Sequence, residues 1–292
     1  MLTLLVDLRK SRFTSIDYNI IPAVAKDKIL LQTVTKMTEN AVIPPQTMAH
    51  AVVLTDTKEG ILHWKAAGLP VIALSHEGNR DEDLMESPWL VLSLEALTPE
   101  YLLEVHHRCY GIPMTVASSK RCVFRELIPE DLPYILALDQ EQEENSAGRF
   151  FRETDTTPED TLENYISCQY PFYGYGIYAV FQMERVEFLG LAGFYPWGSC
   201  PDHLLPDGEM KEIFFGRENP ESRVEIGYVI KKSARRKGYA REWILALTDY
   251  ARQTLGFDEV VARIPAVNRA SIRTALSAGG RFRSRPGSQR LS

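Results

Sequence analysis

The sequence predicts a two-domain α/β protein: a small Rossmann-like α/β domain over 1–111, a linker over 112–121, and a second domain over 122–292 built as a mixed sheet flanked by helices. Three observations carry this reading. Short apolar runs in the first third are separated by helix-length segments. A stretch with Pro113, Ser118, Ser119, Lys120 and Arg121 then breaks the periodic pattern. Beyond it, alternating strands give way to a strand, a glycine turn and a long amphipathic helix.

The elements follow in order. Ala51–Leu54 is an apolar run suited to a buried strand, Lys58 to Ala67 is a helix stopped by Gly68, and Val71–Leu74 is the next strand. A crossover of that length joins parallel strands. A third run, Trp89 to Leu92, precedes a helix from Pro99 to Cys109 that ends at Gly111. Past the linker, Cys122–Leu127 alternates as a strand does. Pro129-Glu130-Asp131 and Thr157-Pro158-Glu159-Asp160 each open a helix with proline and acids in the first turn, where they suit the helix dipole. Gly176–Met183 and Phe188–Phe194, divided by a charged turn at Glu184 and Arg185, read as an antiparallel hairpin. Pro196 to Glu221 reads as a long irregular loop, Arg223–Ile230 as a strand, Tyr239–Leu255 as a helix closed by Gly256, Glu259–Ile264 as a strand, and Asn268–Ala278 as a helix closed by Gly279.

With 45% hydrophobic and 25% charged residues among 292, the chain can bury two ordinary cores. A net charge of −6 argues against coating nucleic acid or an anionic membrane, both of which need a positive field. Cys109, Cys122, Cys168 and Cys200 form no C-x-x-C pair and no metal-ligand spacing with histidine, so neither a disulfide framework nor a metal site is expected. The apolar start Leu2, Leu4, Leu5, Val6 is broken by Asp7, Arg9 and Lys10, short of a signal core or the roughly 20 apolar residues of a membrane span. The expectation is a cytoplasmic protein.

The segment with the most chemistry runs from Val224-Glu225-Ile226-Gly227-Tyr228-Val229-Ile230, through the basic loop Lys231 to Lys237, into Gly238-Tyr239-Ala240 at the start of a long helix. A strand entering a glycine turn and a helix N-terminus points several unpaired N–H groups, and about half a positive charge, at one place. That is a cradle for a pyrophosphate. Gly238 and Ala240 keep bulk out of it, and Arg235, Arg236, Lys237 and Arg241 supply cations that would oppose the helix dipole without an anionic partner.

These residues resemble the GNAT (GCN5-related) N-acetyltransferase superfamily, whose acetyl-CoA motif is R/Q-x-x-G-x-G/A: Arg235, Gly238 and Ala240 stand at its fixed positions. The preceding E-I-G-Y-V-I strand and the later Asn268-Arg269-Ala270-Ser271-Ile272 extend the resemblance over about 122–282. It implies acetyl-CoA as cosubstrate, lying between two splayed central strands. Main-chain groups of Tyr228, Val229 and Ile230 would pair with the pantetheine arm, an N–H near Val229 would polarise the thioester, and Tyr239 would sit at the cradle. Asn268 and Ser271 would lie along the cofactor's far side, Asn268 also serving as an N-cap. Glu225 is the implied general base for an amine acceptor, a small molecule or a peptide N-terminus. Where many relatives carry a tyrosine as acid for the departing thiolate, this chain has Ala275, and the last family strand would be short or missing.

Two other activities are weighed. A non-catalytic acyl-CoA sensor or scaffold needs only the cradle. A phosphatase needs the first domain, where V-V-L-T-D-T-K-E-G-I-L-H-W-K-A-A-G-L-P-V-I resembles the later part of a haloacid-dehalogenase-type enzyme. That chemistry requires a D-x-D pair, but the early strand offers Asp7-Leu8-Arg9, and Asp56 is a lone carboxylate. The first domain reads as a degenerate relic with a role in homodimer formation or substrate presentation. Tyr170, Phe172, Tyr173 and Tyr175 read as packing or as an acceptor pocket. The loop's Asp202, Asp207, Glu209, Glu212, Glu218 and Glu221 suggest a negative lid for a cationic amine.

Overall fold

The computed structural model describes residues 2–10, 30–33, 49–142, 149–151, 156–198, 210–217 and 220–282. The chain divides into two compact units, Met1–Met114 and Thr115–Ser292.

The first unit is a five-stranded parallel sheet: β1 (Thr3–Asp7), β2 (Leu30–Thr33), β3 (Ala51–Thr55), β4 (Val71–Leu74) and β5 (Trp89–Val91), in the order β2-β1-β3-β4-β5. Among the described residues its helices are α1 (Lys58–Ala66) and α2 (Pro99–Cys109), capped by Thr57 and Thr98. β1, β3 and β4 are buried along their whole lengths, which is why they read as unbroken apolar runs. β1 and β2 were not among the expected strands. The apolar start of the chain is an inner strand of this sheet, lying between β2 and β3.

At the C-terminal ends of β1 and β3 two buried carboxylates are fully engaged. Asp7 is gripped by the Arg9 guanidinium at 3.0 Å on both oxygens and accepts the Trp64 indole N–H at 2.8 Å. Asp56 accepts the backbone N–H groups of Arg9 (2.6 Å) and Lys10 (2.9 Å), with His76 Nε2 3.2 Å away. A carboxylate whose lone pairs are held by a guanidinium is a poor nucleophile, so this geometry speaks against phosphatase chemistry at Asp7.

The second unit is a seven-stranded mixed sheet in the order β10-β12-β11-β9-β8-β7-β6. The strands are β6 (Thr115–Ser118), β7 (Cys122–Glu126), β8 (Ile177–Gln182), β9 (Glu187–Pro196), β10 (Met210–Gly216), β11 (Arg223–Ile230) and β12 (Glu259–Pro265). Only β11 and β12 run parallel; the other pairs, including the expected β8–β9 hairpin, are antiparallel. Helices α3 (Leu132–Gln140) and α4 (Pro158–Tyr173) cover one face through Ile135, Leu138 and Leu162. The other face is covered by α5 (Tyr239–Gln253) and α6 (Arg269–Ser277). α5 buries Tyr239, Trp243, Ile244, Leu247, Thr248 and Ala251, a single stripe at helical spacing.

Two expectations are corrected here. The segment read as a linker, 112–121, contains β6, an edge strand paired to β7; its half-exposed burial pattern is what made it look unstructured. The segment Pro196–Glu221, read as irregular, contains β10, whose Ile213, Phe214 and Phe215 are buried against the rest of the sheet. β10 pairs antiparallel with β12 from Met210↔Pro265 to Gly216↔Glu259. Following α6, Arg281 adds a single bridge to Phe214. The edge beside β12 is thus filled by a strand that precedes β11 in the chain. Of the acids assigned to a lid, Asp202, Asp207, Glu209 and Glu218 lie outside the described residues.

Candidate active site

The site begins where β11 and β12 part. They pair only over Arg223↔Glu259, Val224↔Val260 and Glu225↔Val261, whereas β11 keeps its pairing with β9 through to Ile230↔Gly190. From Ile226 onward, β11 therefore presents an open edge on the β12 side. Gly190 lets β9 approach: with φ of 151°, a Cβ there would lie 2.0 Å from the Val229 carbonyl oxygen.

Hydrogen-bond alternation decides which groups face this opening. Lys231 N–H donates to the Leu189 carbonyl on β9 at 2.9 Å, and the register from Val224 to Ile230 is continuous. Odd-numbered residues of β11 consequently turn their main-chain groups toward β9. On the opposite side, the Ser222 carbonyl accepts from Glu259 N–H at 3.3 Å, and the Ile230 carbonyl from Arg235 Nε at 2.9 Å. Tyr228, next to Val229, is therefore the residue whose N–H and carbonyl face the opening past the last β11–β12 pair, whereas Val229 turns its main-chain groups toward β9.

The cradle follows β11 directly. Arg236 adopts φ of 62°, rare for a residue with a side chain, and Gly238 has φ of 82° as the N-cap of α5, with no side chain to cap the helix. The leading N–H groups of α5 stay without intrahelical partners and point outward near the end of the β11 edge. Beneath the turn lies a residue that the motif reading missed. Arg121 donates from its backbone N–H and Nε to the Glu242 carboxylate (both 2.8 Å) and from a guanidinium nitrogen to the Lys237 carbonyl at 3.1 Å. It also stacks 4.2 Å from the Tyr239 ring centre. Burial would raise the Glu242 carboxyl, but hydrogen bonds from Ser119 and Arg121 outweigh it and hold the carboxyl below its ordinary range.

The basic residues divide into two kinds. Arg235 folds back to the Ile230 carbonyl, and Arg241 donates to the Ser277 carbonyl at 2.9 Å, so both brace the backbone around the cradle. Arg236 and Lys237 are exposed and carry the cationic rim. Asn268 caps α6, its side chain accepting from Ser271 N–H at 3.1 Å. Tyr170 and Tyr175 are core residues, Tyr170 accepting the Leu127 N–H at 2.9 Å, while Phe172 and Tyr173 are exposed; the aromatic run is packing at a helix–strand junction.

Glu225 stands in the last β11–β12 pair, at the crotch of the fork. It is 8% exposed, and one carboxylate oxygen has no hydrogen-bond partner. Arg263 on β12 lies 3.8 Å away, beyond hydrogen-bond length. Burial raises the Glu225 carboxyl; nearby Glu212 on β10 adds to the rise, and Arg263 opposes it. Arg223 of the same strand is committed to Glu259 at 2.9 Å.

The fork thus has one open edge, an uncapped helix N-terminus at its end and a buried carboxylate at its crotch. The family model for the GNAT acetyltransferase domain matches residues 121–281, more than half of the chain, and the protein belongs to that family. Solved structures similar to it include a GNAT-family acetyltransferase from Bacillus anthracis, at 19% identity over 60% of this chain and 86% of that one, with a TM-score of 0.41. An acetyltransferase from Agrobacterium tumefaciens is 20% identical over 60% and 88%, with a TM-score of 0.40. Spermidine N-acetyltransferase from Vibrio cholerae, solved in complex with CoA and spermine, is 16% identical over 55% and 80%, with a TM-score of 0.40. No helix among the described residues is long and apolar enough to cross a membrane.

Proposed function

We propose that this protein is an N-acetyltransferase that takes the acetyl group of acetyl-CoA and delivers it to a primary amine by direct attack. The observation that carries this reading is the placement of a buried, under-bonded carboxylate at the closed end of a fork whose open end leads to an uncapped helix N-terminus. The leading α5 amides, with Arg236 and Lys237, hold the pyrophosphate. Tyr228 receives the pantetheine arm on its main-chain groups, and its N–H polarises the thioester carbonyl.

Glu225 supplies the base. An amine is protonated at neutral pH and must lose a proton before its nitrogen can attack, and a carboxylate raised by burial is closer in proton affinity to that task than an exposed one. The acceptor enters from the β10–β12 side, past Glu212 and Arg263, whose side chains flank Glu225 across neighbouring strands.

Titration of the full chain with acetyl-CoA by calorimetry, followed by a thiol-release screen of polyamines, amino sugars and peptide N-termini, tests the reading. Heat of binding and release of CoA with at least one amine are expected. Absence of binding at millimolar acetyl-CoA overturns the site; binding without turnover of any amine overturns the activity in favour of a sensor or scaffold.

A further inference from the structure

The proton for the departing thiolate has no donor where the family resemblance would put one. Ala275 is wholly buried in the apolar layer between α6 and the sheet, and its methyl group can donate nothing. A candidate exists across the opening. Tyr228 projects from β11 toward the α5–α6 layer, and its phenolic oxygen is shielded from solvent with no hydrogen-bond partner. The hydroxyl of Ser271, in the first turn of α6 and one turn before Ala275, approaches the phenol without hydrogen-bond geometry.

A buried hydroxyl without a well-formed hydrogen bond keeps its desolvation penalty uncompensated, so the phenol is free to take a further partner. Its place in the fork says what that partner is. A ligand anchored at the α5 cradle and running along the open edge passes Ile230, then Tyr228, then meets the closed fork at Glu225. From Ile230 to Ile226 the strand advances roughly 13 Å, at about 3.3 Å per residue, and the reactive end of such a ligand has nowhere else to lie. Burial also raises the phenol above its ordinary range, so it carries its proton throughout the neutral region.

We propose that Tyr228 is the catalytic acid of this acetyltransferase, donating its phenolic proton to the CoA sulfur from the strand side of the site in place of a residue on α6. This rests on the acetyl-transfer reading above. In the step, the amine nitrogen, having given its first proton to Glu225, which passes it to water, forms a bond to the acetyl carbon, and the carbon–sulfur bond breaks with its electron pair going to sulfur. The sulfur takes the phenolic proton to give the free thiol. The nitrogen gives up a second proton to Glu225, which releases it to water, and the phenolate recovers a proton from water. From ammonium and thioester to amide and thiol, one proton is released.

The test uses Tyr228→Phe, which keeps the ring and its packing. The first readout needs no acetyl transfer: the pKa of the thiol of bound CoA, followed by thiolate ultraviolet absorbance across a pH titration. Hydrogen bonding from the phenol stabilises the thiolate, so the bound thiol in Tyr228→Phe is expected to titrate about one unit higher than in the wild type. The second is turnover with the amine found by screening, expected to fall by ~100-fold at unchanged acetyl-CoA affinity. An unchanged thiol pKa together with wild-type turnover overturns the assignment while leaving the acetyltransferase reading intact. If no amine is acetylated by the wild type, that reading falls, and the thiol titration still decides whether the phenol meets the sulfur.

Discussion

Buried carboxylates mark both units, and they are treated in opposite ways. Asp7 and Asp56, at the strand ends of the first unit, have donors on both oxygens. Glu225, at the fork of the second, keeps one oxygen without a hydrogen bond and its nearest cation at 3.8 Å. Burial alone therefore does not mark a working carboxylate. A saturated one ties loops together, and removing it strands its donors; an under-bonded one carries an energetic cost that only a substrate or a proton relieves.

The largest effect that can break this comparison is on stability. Asp7→Ala leaves the Arg9 guanidinium and the Trp64 indole without their acceptor and is expected to cost about 3 kcal/mol, the low end for a buried pair because Arg9 is partly exposed. Urea denaturation measures it, and acetyl transfer at low denaturant should be unaffected. A neutral result would place Asp7 among residues free to react. Glu225→Gln should do the reverse, lowering turnover by ~100-fold with stability unchanged or higher at pH 7. The sign follows from linkage. The folded carboxyl is raised, so its ionisation above the unfolded value opposes folding, and the neutral amide removes that opposition.

The pH profile sharpens the contrast. Glu225 must be ionised to act, so the acid limb of kcat/KM is expected above the ordinary glutamate value of about 4.3, with activity lost as pH falls through it. The groups facing that carboxylate are Arg263 on β12, Glu212 on β10 and, opposite on β9, Tyr195. Arg263→Met removes the cation that opposes the rise and should move the limb further up, whereas Glu212→Gln should move it down. A limb that ignores both variants would remove Glu225 from the proton path. The smallest effect concerns the cradle: Arg121→Ala loosens the turn below α5 and is expected to weaken acetyl-CoA binding ~5-fold, on the order of 1 kcal/mol, by calorimetry.

The turn into α5 was legible in the sequence because its signal is local. Arg235, Gly238 and Ala240 lie within one turn of each other, and the glycine's positive φ is a property of the residue itself. Its underpinning was not legible, since Arg121 reaches Glu242 across 121 positions of the chain. The motif places the ligand-facing N–H only as near Val229, because it says which strand lines the opening, while the β9 register says which alternate residues face it. β10 was hidden by the prolines and glycines around it, although Ile213, Phe214 and Phe215 form a short apolar run of their own. The orphan state of the Tyr228 phenol belongs to the packed molecule alone, because it depends on what does not surround the oxygen.

The origin of β10 also bears on how the chain is made. A sheet edge built from a C-terminal strand must wait for the end of synthesis, leaving its neighbour exposed meanwhile. Here the edge strand, Met210–Gly216, leaves the ribosome before Glu259–Pro265, and β11 does as well. When β12 emerges, it therefore slots between two partners already present, antiparallel to one and parallel to the other. The cluster of Glu212 beside Arg263 beside Glu225 is assembled in that single insertion, and until it happens β10, with its apolar Ile213, Phe214 and Phe215, waits without its β12 partner and is exposed to pairing with a neighbouring chain.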